Sequence, residues 1–371
     1  MKKRMISLAI TLAVVLGLST FSLGAAPSVT EAADVGVIVA GKEQKYAQPP
    51  IIVDGSTFLP LRALAATLGI PNDDAHIAWN GADKSVTLKS ADGAKTIFLQ
   101  IGSKAGRVND AEKTLNAAPE LYKNSTYIPL RFVADALDMT VLWDAKNRDV
   151  YIRSSAEYEQ VLTILNKMRM KNPDADGKFK YTFVKNITDS TLNTNTRISN
   201  YKETFDYILN TTNATVFAKA TVSTDKGSMS ATFSTDANGI VTCAYENGKK
   251  DVYTKEESFD FLSEAFGNAW MYFYNPPTPA PDPKPDPNTL SYTELACMYS
   301  TVIKSANTYT LSMPQHLIAP STDTPVFDLS YVVDADSFVI FKHAVDGVFV
   351  SERDGVSINR ALSVVLDFTV K

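Results

Sequence analysis

The strongest constraint on this 371-residue chain is that part of it is written twice. Thr57-Phe58-Leu59-Pro60-Leu61-Arg62-Ala63-Leu64-Ala65-Ala66-Thr67-Leu68 returns as Thr126-Tyr127-Ile128-Pro129-Leu130-Arg131-Phe132-Val133-Ala134-Asp135-Ala136-Leu137, each residue 69 positions from its counterpart. Upstream the offset holds, residues 39–43 mapping onto 108–112. Downstream it falls to 64, so that Trp79-Asn80 matches Trp143-Asp144 and residues 86–88 match 150–152. Five extra residues in the first copy, within 71–76, account for the change. Such self-similarity marks a duplicated unit that buries its apolar face only by pairing with its twin.

Each copy reads as strand, strand, helix, strand, strand. Pro60 and Pro129 open the helices, at a position whose N–H has no intrahelical partner to lose. Leu61, Leu64, Ala65 and Leu68 recur at helical spacing, as do Leu130, Val133, Ala134 and Leu137. Gly69 is a natural helix stop, and Asp138 must tolerate the same left-handed turn in the second copy. Ile77 with Trp79, and Val86 with Leu88, alternate as strand residues do, which predicts core positions for Trp79 and its twin Trp143. One copy has too little core to fold alone, whereas two copies sharing a small antiparallel sheet with two helices on it suffice.

The paired Pro-Leu-Arg helix starts, each followed by Trp-Asn or Trp-Asp and a short valine-rich strand, make residues 35–155 resemble the N-terminal, or stalk, domain of copper amine oxidases. Asn80 after the first tryptophan, Asp138 in place of glycine and Ser56-Thr57 before the helix depart from the usual pattern. The resemblance implies a non-catalytic module, because copper and the quinone cofactor of those enzymes sit in a different domain. That chemistry takes three histidines and a tyrosine in an Asn-Tyr-Asp/Glu-Tyr context. This chain has only His76, His316 and His343, and Asn200-Tyr201 is followed by Lys202-Glu203. Amine oxidation is therefore not expected, and no metal, cofactor or catalytic residue is assigned. Arg62 and Arg131 are read as fixing a loop or pairing with a carboxylate such as Asp144.

At its start the chain has the form of an export signal, with Lys2-Lys3-Arg4 ahead of an apolar run over 8–23 and small residues around Ala26 and Ala32-Ala33. Residues 1–32 are the expected leader, with the mature start at Ala33 inside a window of 25–35, and the protein is expected to be secreted, extracellular or wall-associated. Losing Lys2, Lys3, Arg4 and Glu31 shifts the net charge from −5 to −7. An acidic chain offers no footprint for nucleic acid, and no transmembrane segment is expected after the leader.

The rest is expected to be α+β. A helix over 156–172 carries Val161, Leu162, Leu165 and Met168 on one face, and strands follow over 179–184, 215–222, 229–233 and 240–245. A second helix runs from Lys255 to Tyr274. Proline at alternate places over 276–287 makes an extended spacer, so a linker is drawn at 276–288 between regions 156–275 and 289–371. The latter reads helix first, then strands over 309–313, 326–334, 338–342, 349–352 and 362–370. The two regions are expected as separate α+β domains, or else as one sheet from which the spacer is an excursion.

Three local patterns are weighed as sites. Asn172-x-Asp174-x-Asp176-Gly177 echoes a calcium loop, but its twelfth place is Phe183, so a turn is the better reading. Trp270 to Tyr274 is read as the end of a buried helix, and Asp334-Ala335-Asp336 as a hairpin turn. Cys243 and Cys297, the only two cysteines, are either bridged or individually covered. Cys297 is placed with Glu294, Thr301 and Lys304 on the polar side of its helix. The resulting expectation is a non-catalytic envelope protein whose stalk-like module presents C-terminal regions to an unidentified wall or extracellular ligand. The alternatives are an extracellular carrier of an apolar ligand and a wall hydrolase with dispersed carboxylates. A deep apolar cavity would mark the first, and two facing carboxylates in a cleft the second.

Overall fold

The computed structural model describes residues 29–169, 178–192, 194, 196–210, 215–236, 238, 240–254, 288–318, 326–353 and 356–369. Residues 1–28 of the expected leader, the calcium-like loop at 172–177, the expected helix at 255–274 with its aromatic end, and the proline segment 276–287 lie outside the described residues.

The duplicated part begins with β1 (Val29–Glu31), β2 (Gly36–Val39), β3 (Lys42–Glu43), β4 (Ile51–Val53) and β5 (Ser56–Pro60), then α1 (Leu61–Thr67). It continues through β6 (Ile77–Asn80), β7 (Ser85–Lys89) and β8 (Thr96–Gln100) into the second copy. There follow β9 (Ala105–Val108), β10 (Ala111–Thr114), β11 (Glu120–Tyr122), β12 (Ser125–Pro129), α2 (Leu130–Ala136), β13 (Met139–Asp144) and β14 (Asp149–Ser154). The ββαββ reading is thus incomplete. Each copy opens with a further hairpin, and the strands divide among three sheets, ordered β1-β4-β5-β12-β11, β10-β9-β8-β7-β6 and β13-β14-β2-β3.

The copies meet on a local twofold. In the antiparallel pair β5–β12, Leu59 lies opposite Ile128, its own counterpart, while Phe58 faces Pro129 and Pro60 faces Tyr127. Equivalent residues paired across an antiparallel ladder are what a self-complementary contact requires. The hairpins then exchange partners. The opening hairpin β2–β3 of the first copy joins β14 of the second, and β9–β10 of the second joins β6–β7 of the first through β8. Leu61, Leu64, Ala65 and Leu68 of one helix and Leu130, Val133 and Ala134 of the other enter a common core. Gly69 and Asp138 both take positive φ after their helices, +77° and +55°, as the helix-stop reading requires.

Sequence reading placed residues 29–32 in the leader, yet β1 pairs with β4, Ala32 is buried, and Glu31 bonds Lys123 at 2.6 Å. A start at Ala33 would remove this edge strand.

After β14 the chain turns without a linker into α3 (Ser155–Lys167) and then forms one sheet of eleven strands. Its elements are β15 (Lys178–Thr191), β16 (Arg197–Asn210), β17 (Thr215–Thr224), β18 (Gly227–Thr235), β19 (Val241–Tyr245) and β20 (Lys250–Tyr253). After α4 (Tyr292–Tyr299) come β21 (Thr301–Ser305), β22 (Thr308–Met313), α5 (Gln315–Ile318), β23 (Asp328–Asp334), β24 (Ile340–Arg353) and β25 (Val356–Asp367). The order is β20-β19-β18-β17-β16-β15-β25-β24-β23-β22-β21, antiparallel throughout. Of the two arrangements left open, the shared sheet is the one found: β15 and β25 pair over ten residues, from Thr182↔Asp367 to Thr191↔Ile358. One core under α3 and α4 draws on both sides of the proline segment, with Tyr181, Phe183 and Ala220 beside Leu311, Tyr331 and Leu366.

Several boundaries move. Helix α3 stops at Lys167, and α4 stops at Tyr299, where the sequence periodicity had run it on through Lys304. A capping box fixes its start, Ser291 accepting from the Glu294 N–H and Glu294 from the Ser291 N–H. The expected strands over 338–342 and 349–352 belong to the single strand β24, which begins only at Ile340, and β16 was not read as a strand at all. The 334–337 turn is confirmed, with the Asp334 carboxylate accepting from the Ser337 N–H at 2.8 Å.

The two units are joined by a buried cation. Arg153 on β14 is 6% exposed, donates to the Cys297 carbonyl at 2.6 Å and pairs with Glu157 at 3.2 Å. Tyr151 beside it meets Tyr299 edge-on, ring centroids 5.8 Å apart. Cys297 and Cys243 are unbridged and buried. The polar-side placement of Cys297 fails because α4 is wrapped by α3, β14 and the sheet core, and burial pushes its thiol up to about 12. No described helix is long and apolar enough to cross a membrane.

Two outcomes follow. Intact mass of any product processed at its N-terminus is expected to place its first residue between Ala25 and Val29; a dominant product starting at Ala33 would show that β1 is dispensable. His343, stacked on Tyr331 with centroids 4.5 Å apart, is held by burial at a pKa of about 4, against 6.5 in the open chain. The unfolded state therefore holds the extra proton between those values, and stability falls as pH drops through that window. In His343→Gln the loss of unfolding free energy between pH 7 and pH 4, read from urea titrations, should shrink by roughly 3 kcal/mol. An unchanged loss would refute the assignment.

Candidate functional site

The repeated motif residues are mostly scaffold. Asp144 is buried and accepts from the Asn147 N–H at 2.9 Å and from Asn147 Nδ2 at 3.1 Å. Asn80, its counterpart, accepts from the Ala82 N–H at 3.0 Å. The Asp or Asn after each tryptophan thus closes the turn of the closing hairpin. Arg131 neither fixes a loop nor pairs with Asp144; it donates to the Val141 carbonyl at 3.0 Å and so ties the start of α2 to strand β13. Arg62 bonds Asn72, which belongs to the five-residue insertion of the first copy.

The tryptophans are not core. Trp79 is 45% and Trp143 37% exposed, although both stand on strands with buried neighbours. Trp143 pairs across β13–β14 with Val150, and its indole lines a cavity of about 500 Å³ where the three sheets of the duplicated unit converge. One wall is Gly55 of the β4–β5 turn with Ser56 and Thr57 at the start of β5, a second is Thr114 at the end of β10 with Asn116 just past it, and α2 contributes Arg131, Phe132 and Asp135. Val141 and Val150 form part of the apolar floor, and Arg148 stands at the rim, tied to Asp34 at 2.6 Å. Burial against the wall raises the Asp135 carboxyl, while Arg131 draws it down. The cavity falls within the ~300–1,000 Å³ typical of small-molecule sites, and its lining is mixed, apolar side chains alternating with hydroxyl, amide and charged groups.

Sequence reading missed this cleft because its walls come from distant hairpins. One signal was present: the second copy carries Phe132, Asp135 and Arg148 where the first has Ala63, Ala66 and Lys84. A duplicated scaffold whose copies differ at several positions around one hollow, Asn116 against Ala47 included, has made its two halves unlike there.

Other polar clusters are self-satisfied. On the helix-covered face of the sheet, Arg360 makes two bonds to Asp189, 2.8 and 3.1 Å, and Lys185 pairs with Glu203 at 3.5 Å. Tyr201 donates to Glu203, so the residue in question as a quinone precursor belongs to this network. Asp328 and Asp346 face each other across β23–β24 at the edge of another hollow, the arrangement a hydrolase would use. Asp346 is exposed, however, and Asp328 is already paired with His316 at 2.8 Å. Where a carrier would keep its ligand, α3 and α4 instead press on Tyr181, Phe183, Leu311 and Tyr331. Among the described residues no three His, Cys, Asp or Glu side chains gather as a metal site.

If Trp143 lies on the surface, Trp143→Ala should cost less than about 1 kcal/mol in a urea titration, whereas Ile128→Ala on the twofold should cost about 3 kcal/mol. A loss of similar size at Trp143 would return it to the core.

Comparison with known proteins gives a family for the duplicated unit and little beyond it. Residues 38–152 match the model of the copper amine oxidase N-terminal domain, and the match does not extend to the catalytic domain of those enzymes. No curated protein matches the chain. Among solved structures, the Pseudomonas aeruginosa MucA/MucB complex aligns at 8% identity over 55% of this chain and 57% of that one, with a TM-score of 0.18. A beta-barrel-like protein of the domain of unknown function DUF1849 from Brucella abortus aligns at 7% identity over 52% of this chain and 98% of that one, also with a TM-score of 0.18. The chain spans just over half of the MucA/MucB chain it aligns with. Alignments at this score carry no argument.

Proposed function

We propose that this chain, whose residues 38–152 carry the copper amine oxidase N-terminal domain, is a non-catalytic, exported binding protein of the cell envelope. The observation that carries the reading is the open cleft around Trp143, an aromatic surface with donors and acceptors beside it. The buried Arg153 contact supports a single presenting body, in which the cleft-bearing unit is held on the eleven-stranded sheet. The leader-like residues at the start of the chain support export.

The test uses washed envelope fragments. The purified protein should sediment with them in a saturable manner, and it should produce no peroxide from primary amines after copper loading under air. Failure to sediment would overturn the binding reading, and peroxide above a protein-free control would overturn the non-catalytic one.

A further inference from the structure

From the cleft around Trp143 we infer that the duplicated unit is a site for an uncharged saccharide, with one sugar ring stacked on the indole. This rests on the proposed binding function and names its ligand class. The C–H face of a pyranose is apolar and flat, while its rim carries hydroxyls that both donate and accept hydrogen bonds. A half-exposed indole beside an apolar floor matches the first property. Arg131, Asp135 and Asn116 around it match the second, supplying a guanidinium donor, a carboxylate acceptor and an amide that does both.

Charge decides against an ionic ligand. Arg131 is offset by Asp135 within the cleft, and Arg148 at the rim is neutralised by Asp34 at 2.6 Å. An anion entering beside Arg131 also meets Asp135, and a cation beside Asp135 meets Arg131. Neither sign is favoured, whereas hydroxyls can use both groups. The guanidinium of Arg131 spends only Nη1 on the Val141 carbonyl, which fixes the group in place and leaves its other donors for a ligand. The side chain of Asn116 makes no hydrogen bond among the described residues and is exposed at the cleft wall.

The molecule contains its own control. The twofold gives Trp79 the strand position of Trp143, and it is as accessible, but around the first copy Arg62 is engaged by Asn72 and alanines replace Phe132 and Asp135. Exposure of an indole alone does not make the site; the groups around it do.

The experiment is calorimetric titration of the purified full-length secreted protein with four tetrasaccharides. Two are neutral, cellotetraose and tetra-N-acetylchitotetraose. The others are charged, the glucosamine tetramer and tetragalacturonate. At least one neutral tetramer should bind, with both charged ones about tenfold or more weaker. Trp143→Ala and Asn116→Ala should each weaken the neutral ligand about tenfold, while Trp79→Ala leaves it unchanged. Asn116→Ala removes no bond of the fold, so it decides the matter if the tryptophan variant melts early. Absence of binding by both neutral tetramers overturns the inference, as does equal binding of a charged one or full binding by Asn116→Ala. Envelope sedimentation separates the two levels. A Trp143→Ala protein that still sediments as the parent does removes the saccharide site and leaves the envelope function standing, whereas a parent protein that never sediments removes the function itself.

Discussion

The pairing of Leu59 with Ile128 is the contact from which the duplicated unit is built. It places the central residue of one strand opposite its own counterpart, which is possible only if two equivalent strands run antiparallel about a shared axis. Once that register is set, the chain length between strand and helix is the same on both sides. The two apolar helix faces then arrive in one core, and the opening hairpins reach across to the closing hairpins of the opposite copy. No copy keeps its sheets to itself. The exchange explains why an individual repeat is not a folding unit, since strands of each copy find their ladder partners in the other.

The same symmetry makes the cleft intelligible as a departure from it. In the first copy, five inserted residues bring Asn72 to Arg62; in the second, the shorter connection leaves Arg131 facing a hollow lined by Phe132, Asp135 and Trp143. Duplication supplies two equivalent rims, and differences at a few positions are enough to turn one of them into a ligand-sized cavity. The scaffold beneath is stiffened from outside by Arg153, a cation taken almost wholly out of water and tolerable there only because a carbonyl and a carboxylate receive its protons.

Much of this was legible in the sequence. Pro60 and Pro129, the apolar helix faces and the left-handed Gly69 and Asp138 all stand where local chemistry puts them, because each obeys a rule that acts within one turn of chain. Trp79 and Trp143 escaped because a large apolar residue on a strand is ordinarily inward, and exposure depends on which sheet the strand joins. Strand β16 carries Tyr201, Phe205, Tyr207 and Leu209 at alternate places, a period-two signal obscured by the interposed charges Lys202, Glu203 and Asp206. Cys297 was misplaced because a helix read as longer than eight residues acquires a polar side that the real one lacks room for.

The final strand of the chain lies in the middle of the large sheet. β25 is bordered by β15, whose residues precede it by some 170 positions, and by its hairpin neighbour β24. Until it is in place, the first six strands present a fourteen-residue edge at β15, and the last strands have nothing to dock against. The sheet cannot grow outward from its start; it closes from the centre, and only once β25 has been made. Contacts this remote in sequence fold slowly and leave edges open in the interval. Deleting residues 356–371, which takes away all of β25, would therefore divide the sheet into two separate halves instead of merely shortening it.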